Sequence, residues 1–202
     1  MGDVTAIILA AGLSRRMGAR NKLLLPVAAA PMIRHMVNIY RAATGGRVVV
    51  VTGHQAEKID SVLSGSGAET VFNADFEQGQ PTSVACGLQA AGNADTVLIG
   101  LGDQPLLTVG DIRSLLTAHA AADSTRISIP AVDQHRGNPI VVPATLRARL
   151  LADPRSPGCK KFTRTHPEHV QFHLLASPGF YTDVDTPEAY AALKANSLED
   201  IT

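Results

Sequence analysis

Uninterrupted apolar runs, separated by helix-like segments, constrain the fold of this 202-residue chain more than any other feature. We expect strands at seven places: residues 5–10, 47–52, 69–73, 96–101, 127–130, 139–142 and 170–174. The first, second and fourth of these are almost continuously apolar, as strands buried on both faces of a parallel sheet usually are. The pattern therefore favours a sheet that is covered on both sides.

Helical patterns fill the gaps between these strands. Two stripes occupy positions i, i+3, i+4 and i+7, which form one face of a helix: Ile33, Met36, Val37 and Tyr40, then Ile112, Leu115, Leu116 and His119. Thr108 and Asp111 form a capping-box pattern before the second stripe, and a last helix is expected to begin at Thr186-Pro187-Glu188. Alternating strands and helices predict an α/β fold with a three-layer, mostly parallel, Rossmann-like sheet. We expect a single domain in which residues 131–180 form a small lobe or insertion.

The charge of the chain is balanced overall but unevenly distributed. Residues 1–56 carry seven basic side chains and one acidic side chain, Asp3, which favours an anionic ligand. The sequence has no long basic run with interleaved aromatic residues, so we do not expect a nucleic-acid ligand. No apolar run reaches the roughly 20 residues of a membrane span, so we do not expect a membrane-spanning segment. Two distant cysteines, Cys86 and Cys159, and an N-terminus without a secretory pattern lead us to expect a cytoplasmic protein.

The segment with the strongest chemical signature follows the first strand. It reads LAAGLSRRMG from Leu9 to Gly18, and Lys22 comes shortly after it. Small residues let backbone N–H groups approach an anion closely, and nearby Arg and Lys side chains neutralise its charge. Neither the P-loop pattern nor GxGxxG is present, so an NAD-linked oxidoreductase lacks its sequence fingerprint. The alternative interpretation is an ordinary glycine turn.

Five motifs, in order along nearly the whole chain, resemble those of nucleotidyltransferases of the molybdenum cofactor and sugar-nucleotide type. LAAGxSxRMG with its following Lys resembles their signature loop, and GQPTSVACGL at 79–88 resembles their nucleoside-binding segment. GDQP at 102–105 resembles their metal-binding turn, while RGNP at 136–139 and DVDTPE at 183–188 occupy the later positions. Ala10-Ala11 and GDQP together look most like the molybdenum cofactor cytidylyltransferase family.

This resemblance implies roles for individual residues. The nucleotide would be bound by Leu9, Ala10, Ala11, Gly12, Ser14, Arg15, Met17, Gly18, Gly79, Ser83 and Gly102. The remaining roles would fall to Arg16, Lys22 and Asp103 for catalysis, to Asp103 and Asp185 for Mg²⁺, and to Arg136, Asn138 and Lys160 for the acceptor. Residues 1–130 would form the nucleotide-binding part, 131–180 the acceptor-binding insertion, and 181–202 a returning segment with the C-terminal helix.

The position of Asp103 agrees with such a role. It follows the apolar strand at 96–101, and ligands in open α/β sheets bind beyond the carboxyl ends of strands. Mg²⁺ is typically held by one or two carboxylates together with phosphate oxygens and water. The alternatives are that Asp103 only forms a turn and that Asp185 only caps a helix.

The reaction implied by the resemblance is attack on the α-phosphate of CTP by the phosphate monoester of molybdopterin or its molybdenum-loaded form, with release of pyrophosphate. A phosphate monoester is mostly dianionic at neutral pH, because its second pKa is ~6, so no general base is required. Two rivals stay open. One is cytidylyl or uridylyl transfer to a sugar or alcohol phosphate. The other is a non-catalytic chaperone that passes the cofactor to a client molybdoenzyme or its maturation factor.

Overall fold

The computed structural model describes residues 3–18, 20–27, 29–152 and 159–199. In these residues the strands are β1 (Val4–Ala10), β2 (Pro26–Val27), β3 (Ala30–Pro31), β4 (Val48–Thr52), β5 (Glu69–Phe72), β6 (Thr96–Leu101), β7 (Ile127–Val132), β8 (His135–Arg136), β9 (Ile140–Pro143) and β10 (Val170–Leu174). The α-helices are α1 (Met32–Thr44), α2 (Ala56–Leu63), α3 (Gln80–Ala90), α4 (Val109–Ala121), α5 (Ala144–Leu151), α6 (Cys159–Thr165) and α7 (Pro187–Glu199). None of the helices in these ranges has the length and apolar character needed to cross a bilayer.

A central sheet dominates the molecule, with the strand order β10-β7-β9-β6-β1-β4-β5 and with β8 paired to β7. β1 pairs in parallel with both β4 and β6, and β7 pairs in parallel with β10. β9 runs antiparallel to both of its neighbours, while β2 and β3 form a separate small hairpin. The mostly parallel α/β fold predicted from the sequence is confirmed.

The sheet separates two apolar clusters, which makes the three layers. On one face, helices α1 and α4 pack on β1, β4 and β6, and Tyr40 and Ile112 are fully buried there. On the other face, α3, α5 and α6 pack over Ile7, Val97 and Ile129. The close approach of α3 explains the glycine at position 87, because a Cβ on Gly87 would lie 2.5 Å from a methyl group of Ile7.

The part of the chain from 131 to 180 contributes strands to this same sheet. β8, β9 and β10 all belong to it, although residues 153–158 lie outside the described residues. β9 inserts between β6 and β7, so the sheet continues sideways from the strands around β1. The functional division of the chain at residues 130 and 180 stays a prediction.

Connections between strands place a crevice beside β1. The chain leaves β1 through α1 to reach β4 on one side, and later returns through α3 to β6 on the other side. In doubly wound sheets such a reversal opens a crevice at the carboxyl ends of the two central strands, because the loops after them diverge. Leu9–Gly18 follows β1 and Gly102-Asp103 follows β6, so the topology brings these two segments to one edge.

A buried polar cluster joins α4, β7 and β10 away from that edge. The fully buried hydroxyl of Ser128 lies 2.8 Å from Nδ1 of His119 and 2.9 Å from Nε2 of His173, and it accepts a 2.9 Å hydrogen bond from Gln171. A hydroxyl has one hydrogen and two lone pairs, so with Gln171 donating, one of the two imidazoles must accept and be unprotonated at that nitrogen. Burial is the main cause that lowers the pKa of both histidines below 6.5.

This cluster predicts a specific loss of stability in mild acid. The folded state binds fewer protons than the unfolded state near pH 6, so the stabilisation is complete above pH 6.5 and falls as the pH drops below it. We expect the urea midpoint to fall between pH 7 and pH 5, and His173→Gln to show a shallower dependence on pH. His135→Gln, on exposed β8, is the control and should keep the wild-type dependence. Equal pH dependence for all three proteins would contradict the interpretation.

Candidate active site

A cleft of about 480 Å³ lies at the edge of the sheet where β1 and β6 end. Its walls contain Leu9, Ala10, Ala11, Gly12, Leu13, Ser14, Arg15, Arg16, Lys22, Leu23, Phe76, Glu77, Gly79, Gln80, Ser83, Leu101, Asp103 and Asp185. The structure thus brings the three residues predicted for catalysis, both predicted metal ligands and most of the predicted nucleotide contacts into one space.

The loop after β1 offers hydrogen-bond donors to this cleft. Among the described residues, the backbone N–H groups of Gly12, Leu13 and Ser14 have no hydrogen-bond acceptor, and the buried hydroxyl of Ser14 has no partner. Ser14 adopts a left-handed conformation with φ of 50°, which is uncommon for a residue with a side chain. Such a strained turn with unpaired donors suits a bound anion.

Two residues of the loop support it from outside the cleft. Met17 is buried, and its backbone N–H donates to the carbonyl of Ser14 at 2.8 Å, which closes the short turn Arg15–Met17. Gly18 ends this turn with φ of 66°, a conformation that glycine adopts without strain. These two predicted nucleotide contacts therefore do not line the cleft. Arg15 and Arg16 line the cleft, and both residues are exposed.

Lys22 occupies the centre of the site. Its ammonium group contacts the carboxylate of Asp103 and lies 2.5 Å from Oδ1 of Asp185. The side chains of Lys22 and Asp103 are only 12% and 16% exposed. Asn21 accepts a hydrogen bond from the Leu23 backbone and so fixes the short turn that carries the lysine. Three segments that are far apart in sequence meet at this one cation.

Electrostatics hold this arrangement in its charged form. Burial alone would lower the pKa of Lys22, but Asp103 and Asp185 outweigh it and raise that pKa above its ordinary value. Burial would raise the pKa of Asp185, but Lys22 and Arg16 lower it, and Arg16 lies 2.6 Å from Asp185. Lys22 and Asp185 therefore stay ionised at neutral pH.

Backbone contacts fix the two carboxylate-bearing segments together. The N–H of Val184 donates to the carbonyl of Asp103 at 2.8 Å, and the N–H of Gly102 donates to the carbonyl of Leu9 at 3.1 Å. Gly102 is thereby a structural neighbour of the cleft and not part of its lining. The position of Asp185 is set by this pairing, because it lies one residue beyond Val184.

Asp183 is a member of the site that the sequence analysis missed. Although the residue is exposed, partial loss of hydration and the charges of Asp103 and Asp185 raise the pKa of Asp183 to about 6. Its signal in the sequence was the spacing of DVD, which puts two carboxylates on one side of an extended segment. Asp183 thus responds to the charges of both carboxylates, although it does not line the cleft.

The carboxylates fit a hard divalent cation. Oδ1 of Asp103 is buried and has no hydrogen-bond partner in the described residues, which is costly unless a cation or donor completes it. The described ranges contain no cluster of three Asp, Glu, His or Cys side chains with metal-binding geometry. Asp103 and Asp185 would therefore hold Mg²⁺ only together with phosphate oxygens and water, which is its usual coordination in nucleotide sites.

The far wall of the cleft is formed by the start of α3. Gly79 precedes the helix with φ of 108°, a conformation that strongly favours glycine, and Ser83 lies buried in the first turn. Asn73 donates hydrogen bonds of 2.9 and 3.0 Å to the hydroxyls of Thr82 and Ser83, which fixes both side chains. A helix N-terminus with small residues is suited to a polar or anionic group.

The cleft also contains residues that the sequence did not single out as contacts: Leu13, Leu23, Phe76, Glu77, Gln80 and Leu101. Phe76 lies in a short turn before α3 and lines the cleft beside Gly79. No local motif marks Phe76, because its role depends on how the segment before α3 folds over the loop after β4. A Cβ on Gly53 would lie 2.6 Å from Phe76, which shows how closely the two segments pack.

The three predicted acceptor contacts lie outside the cleft lining. Arg136 is on exposed β8, where its guanidinium lies 4.9 Å from the ring centre of Phe172. The N–H of Asn138 donates to the carbonyl of Phe180 at 2.9 Å. Lys160 is exposed at the start of α6.

Comparison with known protein sequences gives relatives of two kinds. The bifunctional protein GlmU of Geobacter sulfurreducens is 38% identical over 123 residues, which is 60% of this chain. The chain spans only about a quarter of the length of that relative, 26%. The nicotine blue oxidoreductase of Paenarthrobacter nicotinovorans is 28% identical over 198 residues, and the match covers 93% of this chain and 97% of the relative.

Solved structures share the fold along nearly the whole chain. A nucleotidyl transferase from Methanothermobacter thermautotroptrophicus superimposes with a TM-score of 0.84 at 23% identity, covering 98% of this chain and 99% of that one. A CMP:2-keto-3-deoxy-manno-octonic acid synthetase complexed with CTP gives 0.72 at 13% identity, with 98% of each chain covered. A Mycobacterium tuberculosis H37Rv protein in complex with manganese gives 0.71 at 22%, covering 95% and 97%. At these identities the likeness establishes the fold alone.

The family itself is established by sequence. Residues 6–170 match the MobA-like NTP transferase domain, a range that includes the loop after β1, Lys22, the start of α3 and Asp103. The match covers most of the chain and agrees with the resemblance drawn from the five motifs. The chain therefore belongs to the MobA-like NTP transferase domain family.

Proposed function

We propose that this chain is a divalent-metal-dependent nucleotidyltransferase that transfers CMP from CTP to the phosphate monoester of a molybdopterin-type acceptor, releasing pyrophosphate. The observation that carries the proposal is the Lys22 ammonium held between Asp103 and Asp185, beside a glycine loop with unpaired N–H groups. A pure binding site for an uncharged ligand needs neither feature. Their combination suits a polyphosphate with its metal.

Different parts of the cleft bind the phosphates, the metal ion and the nucleoside. The N–H groups of Gly12, Leu13 and Ser14 bind phosphate oxygens, and Arg15 at the mouth of the cleft adds positive charge to the β and γ phosphates. Mg²⁺, when bound by Asp103 and Asp185, supplies charge neutralisation and alignment of the phosphates. The helix start at Gly79 and Ser83 binds the nucleoside.

Lys22 and Arg16 change partners as the substrate binds. In the structure both cations contact Asp185, and Lys22 also contacts Asp103. Were Asp103 and Asp185 to hold a divalent cation, it would supply positive charge at these carboxylates, and Lys22 and Arg16 would be free to stabilise the negative charge that develops at the α-phosphate. An acceptor phosphate is already dianionic at neutral pH, so the site supplies charge and alignment and needs no proton acceptor.

The residues predicted to bind the acceptor, Arg136, Asn138 and Lys160, lie outside the cleft lining, so the acceptor class is assigned from the resemblance to the family. The structural likeness to a CTP-bound synthetase of a sugar acid favours transfer to a sugar phosphate or sugar acid as the competing substrate class. A screen of both acceptor classes with CTP and Mg²⁺, in which product mass and pyrophosphate release are measured, distinguishes a molybdopterin-type acceptor from a sugar acceptor. Pyrophosphate release with a sugar acceptor alone would overturn the molybdopterin assignment, and CTP binding without turnover on any acceptor would favour a cofactor chaperone.

A second candidate function comes from a different class. The relative that matches along 97% of its own length is a nicotine blue oxidoreductase, which favours reduction of an organic acceptor. The absence of GxGxxG in this chain and the carboxylate–lysine centre favour the transferase. Oxidation of NADH or NADPH in the presence of a reducible dye, without any nucleotide triphosphate, would support the oxidoreductase and contradict the transferase.

Asp103→Asn tests the metal assignment. The change keeps the size of the side chain and removes its charge, so we expect metal-dependent turnover to fall by about three decades or more, while the circular dichroism spectrum stays that of the wild type. Asp60→Asn, on the exposed face of α2, is the matched control and should retain wild-type turnover. Wild-type rates for Asp103→Asn would refute the role of this carboxylate.

Lys22→Ala tests the role of the lysine in the transition state. A cation that acts on the developing charge affects kcat more than nucleotide affinity, and such groups are worth about three decades or more in rate. We expect kcat to fall by about that factor and the CTP dissociation constant to change by less than about tenfold. Lys58→Ala, in exposed α2, controls for loss of one positive charge. Weaker binding with an unchanged kcat would remove Lys22 from this role.

Lys22→Met tests the site without any turnover. The wild-type ammonium occupies the space between two carboxylates and competes with a metal ion for them. Its replacement by an uncharged side chain of similar length should tighten Mn²⁺ binding in the absence of nucleotide by about tenfold, as measured by electron paramagnetic resonance of free Mn²⁺. Lys58→Met should bind Mn²⁺ as the wild type does. Equal or weaker affinity in Lys22→Met would contradict the competition.

A further inference from the structure

An exposed aromatic surface lies on the strands beside the cleft. It consists of Arg136, Phe172 and Leu174, which we call the ring platform. Phe172 and Leu174 are 51% and 82% exposed, and the Arg136 guanidinium lies 4.9 Å from the ring centre of Phe172. Arg136 and Leu174 both pair with Ala131, and Phe172 pairs with Ile129, so all three side chains are on one face of the sheet.

The platform is unusual for an edge strand. β10 pairs only with β7, and apolar side chains on such an edge normally are covered or replaced by charged ones. Val170, two residues earlier on the same face, is buried in the cluster under α6. The sheet therefore changes from a covered to an open apolar surface between residues 170 and 172, towards the carboxyl end of β10.

Hydrogen bonds connect the platform to the catalytic carboxylates. The carbonyl of Phe180 accepts from the N–H of Asn138, two residues after Arg136, and from the buried amide of Gln104, next to Asp103. β6 and β10 are three strand spacings apart, which places the platform roughly 14 Å from the end of β6. This distance can be spanned by a small molecule that has a phosphate at one end and a ring at the other.

The platform and the nucleoside end of the cleft also share a face of the sheet. Ile129, the strand partner of Phe172, belongs to the apolar cluster that α3 covers, and α3 begins with the cleft residues Gly79 to Ser83. An acceptor that lies along this face would approach the bound nucleotide from the side of β9. The first strands carry the nucleotide loop, while the later strands carry the platform.

The chemistry of the platform selects a flat anionic ligand. An aromatic face binds planar rings by stacking, and an adjacent guanidinium stacks on such rings and attracts negative charge. Resting on the proposed function, we infer that Arg136 and Phe172 bind the fused heteroaromatic ring of the acceptor whose phosphate monoester attacks CTP. Arg136 thereby acts on the acceptor as an element of ring recognition and not as a contact to the transferring phosphate.

The test uses riboflavin 5′-phosphate as the probe, because it joins a fused heteroaromatic ring to a phosphate monoester and is fluorescent. We expect its fluorescence to be quenched by the full chain and its dissociation constant to rise about tenfold or more in Phe172→Ala. Phe72→Ala is the matched control, since Phe72 is 58% exposed on the opposite edge strand, β5, and should bind as the wild type does. Phe172→Leu keeps an apolar side chain and should lose most of the same affinity.

Four results would overturn the inference: no binding of the probe, equal affinity in Phe172→Ala and wild type, equal losses in Phe172→Ala and Phe72→Ala, or ribose 5-phosphate competing as well as the flavin. If Phe172→Ala changes only the oligomeric state in sedimentation, the platform is an interface between copies of the chain. Calorimetry of CTP with Mg²⁺ separates the two proposals. If CTP does not bind, the proposed function alone is contradicted. If CTP binds normally and the variants keep the wild-type affinity for the probe, only the ring-binding role of the platform is contradicted.

Discussion

A single ammonium group between two carboxylates organises the site of this protein. Lys22 is mostly shielded from water, so its charge is stable only because Asp103 and Asp185 compensate for the lost hydration. Oδ1 of Asp103 has no hydrogen-bond partner in the described residues, and partial burial together with the charges of Asp103 and Asp185 raises the pKa of Asp183 to about 6. In the proposed complex, a divalent metal ion bound with the triphosphate would exchange with the Lys22 ammonium between these carboxylates.

The fold makes this exchange possible by bringing together segments that are distant in sequence. β1 and β6 are neighbours although the chain leaves β1 through α1 on one face of the sheet and reaches β6 through α3 on the other, and the loops that follow the two strands form the cleft. The segment before α7 returns to the same edge through the backbone bond from Val184 to Asp103. Beyond β6, the sheet extends through β9 and β7 to β10, so the proposed nucleotide and acceptor ends would lie along one continuous sheet.

The sequence predicted most of this because local patterns encode it. Continuous apolar runs predicted β1 and β6. The capping box of Thr108 and Asp111 is present, as expected, at the start of α4. The resemblance of GDQP at 102–105 to a metal-binding turn identified Asp103, and its position after a buried strand agreed with that role. In contrast, Phe76 reaches the cleft through tertiary packing, and no local pattern distinguishes it, whereas the DVD spacing was the one local signal for Asp183. The exposed pair Phe172 and Arg136 is also a product of strand pairing, since 36 residues separate them in the chain.

The central claim is that metal and triphosphate bind to this site as a unit. Calorimetric titration of a non-hydrolysable CTP analogue, with and without Mg²⁺, measures it directly. We predict that Mg²⁺ increases the affinity of the protein for the analogue by about tenfold or more. The analogue should increase the affinity for Mg²⁺ by the same factor, because coupling between two ligands is reciprocal. Equal affinity for the analogue with and without the metal would contradict the account.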